Sequence, residues 1–355
     1  MTYSSLIEKV KSHFAENLPF VIYSLPDNDA ITVFFQKDAT LSKTEDYSIE
    51  SFVFAPFDYQ GEACCIVKEK SECYEIPYEE KSITLSEIDS KENKKKKKKY
   101  FQLIEKTKLT IESGKNSKIV ISRKESISLN NFDLSLVIDR LLNLYKSAFR
   151  YIWFHPETGM WCGATPELLM KTDGTSFQTM ALAGTQKYNE EKSPQWTEKE
   201  REEQGIVADS ISSSLESITS ILKVSKTYNH KAASLVHLRT DFTGIFNKGK
   251  TTLTNITSVL HPTPAVCGTP KDKAAHFILS NEKYNREYYT GFLGPICGEG
   301  NCSKLFVNLR CMKIDSKEAT LYVGGGITNE SNEYEEWQET QNKMQTMLQV
   351  LQPML

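Results

Sequence analysis

Tyr151-Ile152-Trp153-Phe154-His155-Pro156-Glu157-Thr158-Gly159-Met160-Trp161-Cys162 consists of two apolar, aromatic-rich runs on either side of Pro-Glu-Thr-Gly. That is the pattern of a β-hairpin: the side chains suit a pleated surface, and proline and glycine break any helix at the turn. A second hairpin follows, with Leu168 to Thr172 and Ser176 to Leu182 flanking Asp173-Gly174. Antiparallel pairing is therefore the dominant theme. Working outward, Lys118-Ile119-Val120-Ile121-Ser122-Arg123 reads as a strand, as do the short runs 19–24 and 30–35. Helical spacing predicts helices over Ser5 to Asn17, over Tyr100 to Ser113 with Gly114 as the stop, and over Asp133 to Ala148. The longest candidates are Thr197 to Val224 and Glu333 to Leu351.

At 355 residues the chain has room for one large domain or two, and its 39% hydrophobic and 25% charged residues are those of an ordinary globular protein. A net charge of -3 gives no electrostatic case for nucleic acid. No apolar run approaches the roughly 20 residues that span a bilayer, and the first residues lack a basic segment followed by an apolar one. No membrane association and a cytoplasmic location are therefore expected. Eight scattered cysteines without C-x-x-C spacing read as reduced, mostly buried thiols and not as a zinc site. Lys94 to Lys99 is a run of six like charges and reads as a solvated loop closing a strand-rich N-terminal part, residues 1–99.

Several residues carry chemistry. Leu260-His261-Pro262-Thr263-Pro264-Ala265-Val266-Cys267-Gly268-Thr269-Pro270 is too stiff for a helix or central strand, with Gly268 allowing close backbone approach. It is either a rigid ligand loop or a plain connection. On the helix after Thr197, Val207, Ile211, Leu215, Ile218 and Leu222 share a stripe whose backward extension places Glu200 about 20° from its centre and Glu203 on its edge. Glu336 and Glu339 stand likewise beside the stripe of the last helix. Four converging carboxylates would repel one another unless a hard cation such as Mg²⁺ joined them; the other reading is a set of solvated i,i+4 contacts, Glu339 with Lys343 among them. Lys118 is either a desolvated amine suited to act as a base or an edge-strand lysine facing water. Glu167, after Gly163-Ala164-Thr165-Pro166, is placed to be a buried, protonated acid. Arg310 is a lone arginine in an apolar run, fit for a carboxylate. Gly324-Gly325-Gly326 is either an anion nest or a flexible turn.

In chain order these segments resemble the chorismate-utilising enzymes: the runs from Lys118, Gly163, Leu182 (Leu-Ala-Gly-Thr), Glu198 (Glu-Lys-Glu-Arg-Glu-Glu), His261, Gly324 and Glu336 (Glu-Trp-Gln-Glu-Thr). The likeness covers about residues 100 to 350, and residues 100–355 are expected to form the chorismate-binding catalytic region. The fold it implies is α+β, a large antiparallel β-sandwich with helices packed outside, similar to anthranilate synthase component I. It also implies Mg²⁺ at Glu200, Glu203, Glu336 and Glu339. Lys118 is implied as base and Glu167 as acid, with substrate contacts from Thr185, His261, Ala265, Val266, Arg310 and Gly325. A lysine at position 118, and none in Leu182-Ala183-Gly184-Thr185, resembles the isochorismate synthases: isomerases that add water to chorismate at C2 and expel the C4 hydroxyl. Such an enzyme needs no glutamine amidotransferase subunit, and a monomer is expected. Salicylate synthase is the alternative, and menaquinone biosynthesis is expected ahead of siderophore biosynthesis. One departure is Gln204, where many relatives have histidine.

Overall fold

The computed structural model describes the chain except residues 79, 80, 84, 86, 87, 89–92, 189–192, 233, 234, 248, 250 and 299–301; the side chains of 185, 187, 199, 232 and 235 are also outside it. In chain order the first strands are β1 (Phe20–Ser24), β2 (Ala30–Gln36), β3 (Ser42–Thr44), β4 (Glu50–Ala55), β5 (Ala63–Val67) and β6 (Ser71–Pro77). Next come β7 (Lys118–Ser128), β8 (Phe149–His155), β9 (Gly159–Thr165), β10 (Leu168–Asp173), β11 (Ser176–Lys187), β12 (Thr219–Val224), β13 (Tyr228–Ala232) and β14 (Leu235–Phe246). The last are β15 (Gly268–Thr269), β16 (Phe292–Cys297), β17 (Cys302–Val307), β18 (Cys311–Ile314) and β19 (Glu318–Ile327). The helices are α1 (Tyr3–Ala15), α2 (Lys94–Glu112), α3 (Leu134–Leu144), α4 (Glu198–Glu216), α5 (Leu253–Leu260), α6 (Lys271–Asn281) and α7 (Glu333–Leu351).

One sheet has nine strands in the order β15-β7-β19-β18-β9-β8-β1-β2-β6, and the other ten in the order β12-β14-β11-β10-β17-β16-β4-β5-β3, with β13 also on β14. Both hairpins read from the sequence form, β8 with β9 and β10 with β11. Strands from the first hundred residues complete both sheets, so that part and the rest share one architecture.

β8 shows why the sheets stack. Its side chains alternate, so Phe149, Tyr151 and Trp153 join an aromatic core with Phe52, Phe54 and Phe306 of the other sheet, while Ile152 and Phe154 face the opposite way. The Phe149 and Phe306 rings stack at 4.1 Å across the two sheets. On the outer face of the first sheet lie α1, α3 and α7, with Val10, Val137, Ile138, Met344 and Leu348 in one cluster. Against the second lie α4 and α5, through Val207, Ile211, Leu215 and Ile256. This is the expected α+β sandwich with helices outside.

Local expectations fail in four places. The run Lys94 to Lys99 is not a loop but the first turns of α2: Asn93 caps it by accepting from the Lys96 amide, and the Lys96 ammonium meets Glu125 at 2.6 Å. The helix from Thr197 ends at Glu216, and Thr219–Val224 instead forms β12 on β14. The triple glycine lies within β19, and Arg310 sits in the turn between β17 and β18 at φ +46°. Finally, Cys297 and Cys302 form a disulfide across the ends of β16 and β17, where their Cα atoms are 5.3 Å apart, within bridging range, so these two thiols are not reduced.

Candidate active site

Between the sheet edge at β7 and β19 and the N-terminal ends of α4 and α7 lies a cleft of about 520 Å³. Lys118, Glu167, Glu200, Glu203, Ala265, Val266, Arg310, Gly325, Glu336 and Glu339 all line it. Residues spread over more than two hundred positions are thus brought together by the sheet register.

Lys118 opens β7 and is 1% exposed; its Nζ donates to Glu203 Oε1 at 2.8 Å. That inward course depends on β19. A Cβ at Gly326 would lie 2.6 Å from Lys118 Cε and 2.6 Å from Glu203 Oε1, and one at Gly325 would lie 2.8 Å from Glu336 Oε2. The glycines therefore leave the room that two carboxylates and an ammonium occupy. Glu200 accepts from the Thr197 amide at 2.7 Å, closing a capping box at the start of α4, and from Gln186 at 3.1 Å. Glu336 accepts from Ser331 Oγ at 2.7 Å, and Glu339 pairs with Lys343. Among the described residues, no three His, Cys, Asp or Glu side chains stand grouped closely enough to bind a metal as placed. The donor set, four carboxylates around one glycine-walled cleft, fits a hard divalent cation, which takes oxygen ligands.

Glu167 is 4% exposed, between β9 and β10, with Thr263 Oγ1 of the Pro-rich loop 3.5 Å away. Burial pushes its carboxyl up to about 7, against the pull of the Lys118 charge. Burial also disfavours the Arg310 guanidinium's charge, which Glu339 supports, and Arg310 Nη1 is a buried donor with no hydrogen-bond partner among the described residues. An anionic ligand would satisfy that donor.

Gln204 is buried and donates to the Ala181 carbonyl at 3.3 Å and to Thr240 Oγ1 at 3.1 Å, tying α4 to β11 and β14. It anchors Glu203's helix from behind. His261 is not among the lining residues: its Nε2 donates to the Phe57 carbonyl at 3.1 Å, and burial lowers its pKa to about 4. The side chain of Thr185 lies outside the described residues. Lining residues that the sequence did not single out include His237, Tyr289, Val120 and Thr290. His237 donates from Nδ1 to the Gly184 carbonyl at 2.9 Å and is lowered to about 4, first by burial. Only its hydrogen bond to Gly184 across the paired strands reveals it, since a single histidine within a mixed strand carries no motif.

Comparison with known proteins bears on this cleft. A family model described as chorismate binding enzyme matches residues 51–352. The chain belongs to that family. Isochorismate synthase EntC of Escherichia coli is 30% identical over 243 residues, 66% of this chain and 62% of that protein. Isochorismate synthase MenF of Escherichia coli is 32% identical over 265 residues, 71% of this chain and 60% of that protein. The matched stretches therefore span less than two thirds of these relatives. Among solved structures, DhbC of Bacillus anthracis superposes with a TM-score of 0.79 at 24% identity, covering 97% of this chain and 99% of that one. Anthranilate synthase component I of Streptococcus pneumoniae superposes with a TM-score of 0.66 at 16% identity, covering 92% and 89%. The sandwich is thus the fold of chorismate-binding enzymes.

Proposed function

We propose that the chain is an isochorismate synthase that interconverts chorismate and isochorismate. The observation carrying this reading is that a buried lysine and a buried carboxyl line one cleft with four glutamates and an arginine. Relatives named isochorismate synthase support the reading.

Arg310 and the backbone at Gly325 would hold the enolpyruvyl carboxylate, and Ala265 and Val266 would flank the ring. With its amine in the neutral form, Lys118 would accept a proton from the water whose oxygen bonds to C2. The ring double bonds shift, the C4–O bond breaks, and Glu167 gives its proton to the departing hydroxide, which leaves as water. One water enters and one leaves, so mass is unchanged. Glu200, Glu203, Glu336 and Glu339 would hold Mg²⁺, directly or through water. The ion would neutralise the ring carboxylate and orient it.

The deciding experiment is incubation with chorismate, with and without Mg²⁺ and EDTA, followed by separation with mass detection. An isomer of unchanged mass, formed with Mg²⁺ and lost with EDTA, is expected; salicylate plus pyruvate would move the assignment to salicylate synthase, and unaltered chorismate would remove it. A vibriobactin-specific isochorismate synthase is 28% identical and isochorismate synthase MenF, whose solved structure is named menaquinone-specific, is 32% identical, so the relatives do not favour one route. Menaquinone remains our proposal for the pathway, on the general prevalence of that route.

The pH dependence has a definite sign. Burial penalises the charged form of Glu167, so the folded protein keeps that proton up to about pH 7, whereas a carboxyl at its ordinary 4.5 would lose it. Turnover toward isochorismate is expected to fall as pH rises through about 7. In Glu167→Gln this alkaline limb should vanish, with kcat lower by about 10²- to 10⁴-fold; a limb that persists in the variant belongs to another group.

A further inference from the structure

We infer that Arg286, locked to Glu282, is a positioning residue that braces the seam between the lysine strand and the Pro-rich loop, holding Val120 and Val266 in place at the cleft, and so aligns the ring with Lys118; the catalytic part rests on the reaction proposed above. Both side chains are buried, Arg286 at 2% exposed and Glu282 at 6%. Arg286 Nε and Nη2 donate to the two Glu282 oxygens at 2.8 and 2.6 Å, a bidentate pair that fixes the guanidinium plane.

The remaining donors reach the walls of the cleft. Nη2 donates to the Val120 carbonyl at 2.7 Å, on the strand two residues after Lys118, and Nη1 donates to the Val266 carbonyl at 3.0 Å and to Thr290 Oγ1 at 3.2 Å. Val120, Val266 and Thr290 all line the cleft, but Arg286 does not. Glu282 Oε1 also accepts from the Ser122 amide at 2.6 Å, gripping the same strand again. The guanidinium lies over the Phe57 ring at 4.5 Å, and it is the Phe57 carbonyl that accepts from His261 at the root of the loop. One planar cation therefore backs a seam that the main chain also joins, where β15 pairs Gly268 with Ile119 and the Val120 amide donates to the Cys267 carbonyl at 2.9 Å.

A lysine has one nitrogen and cannot span both carbonyls while pairing with a carboxylate. A displacement of about 1 Å in such a support costs on the order of 10²-fold in rate. Arg286→Lys should fold, keep its KM for chorismate within about fivefold because Arg310 and Gly325 are untouched, and lose about 10²-fold in kcat. Its alkaline limb should move to lower pH, because loosening Thr263 and its neighbours admits water to Glu167. Hydrogen exchange should rise over 118–123 and 260–270 and stay unchanged over 333–351.

A folded Arg286→Lys with kcat within threefold of the wild type and the same pH limb would overturn the inference. Should that variant not fold, Glu282→Gln decides: it preserves the shape but weakens the pair, and a kcat at least fivefold lower supports the clamp while an unchanged one refutes it. The wild type run in parallel separates the two claims. If it does not turn chorismate over, the reaction fails, and the clamp still stands or falls on hydrogen exchange.

Discussion

Lys118→Ala is expected to lower kcat on chorismate by about 10³-fold while leaving the fold and chorismate affinity nearly intact. The side chain is 1% exposed and ends 2.8 Å from Glu203, at the floor of the cleft and not on its rim. A lysine buried purely for stability would be an odd choice there, since taking an ammonium out of water costs several kcal/mol unless its partner repays it. Truncation removes both the amine and the charge beside Glu203, so Lys118→Met, which keeps the apolar stem, should be measured with it. Equal loss of kcat in both, with thermal unfolding close to that of the wild type and chorismate still bound in equilibrium titration, is the result a base requires. Full activity in either variant would end its assignment as base, and a loss confined to KM would recast it as a binding residue.

What could be read from the sequence depended on how local its cause was. Paired strands with turn residues between them, and α7 with its Met344, Met347, Leu348 and Leu351 stripe, follow from nearest-neighbour chemistry, and all appear. Thr219 to Val224 reads as helix because Ile218 and Leu222 happen to continue the spacing of Ile211 and Leu215; pairing with β14, invisible in sequence, recruits the segment as β12. Charge repulsion alone makes the lysine run a loop, yet helix propensity and the Asn93 cap prevail once α2 has Tyr100 and Ile104 to bury. Among the candidate site residues, those in runs with unusual composition, such as Lys118 in an apolar strand or Glu167 after glycine and proline, do reach the cleft. Arg286 and Glu282 gave no signal because an i,i+4 charged pair looks the same whether solvated or buried. His261 stood out by its prolines, but the fold turns its ring away to Phe57.

Gly268→Ala should damage both the fold and the site, because the added methyl has only backbone to push against. At φ +127°, Gly268 occupies backbone space that a side chain rarely adopts, and a Cβ there would stand 2.2 Å from the Lys118 carbonyl oxygen and 2.9 Å from Ile119 Cα. Both obstacles are backbone, held in register by β15 pairing Gly268 with Ile119 and Thr269 with Lys118. No side chain can rotate away. Overpacking costs about 1–3 kcal/mol and the strained conformation about as much again, so a loss of roughly 2–6 kcal/mol is expected. By comparison, a methyl at Gly326 meets the far ends of Lys118 and Glu203, which can shift. The two variants should therefore part company: Gly326→Ala keeps its denaturation midpoint but loses turnover, while Gly268→Ala loses both. A Gly268→Ala protein that unfolds at the same denaturant concentration as the wild type would show that the loop does not press on the lysine strand as described, and would weaken the case that Arg286 has two fixed walls to join.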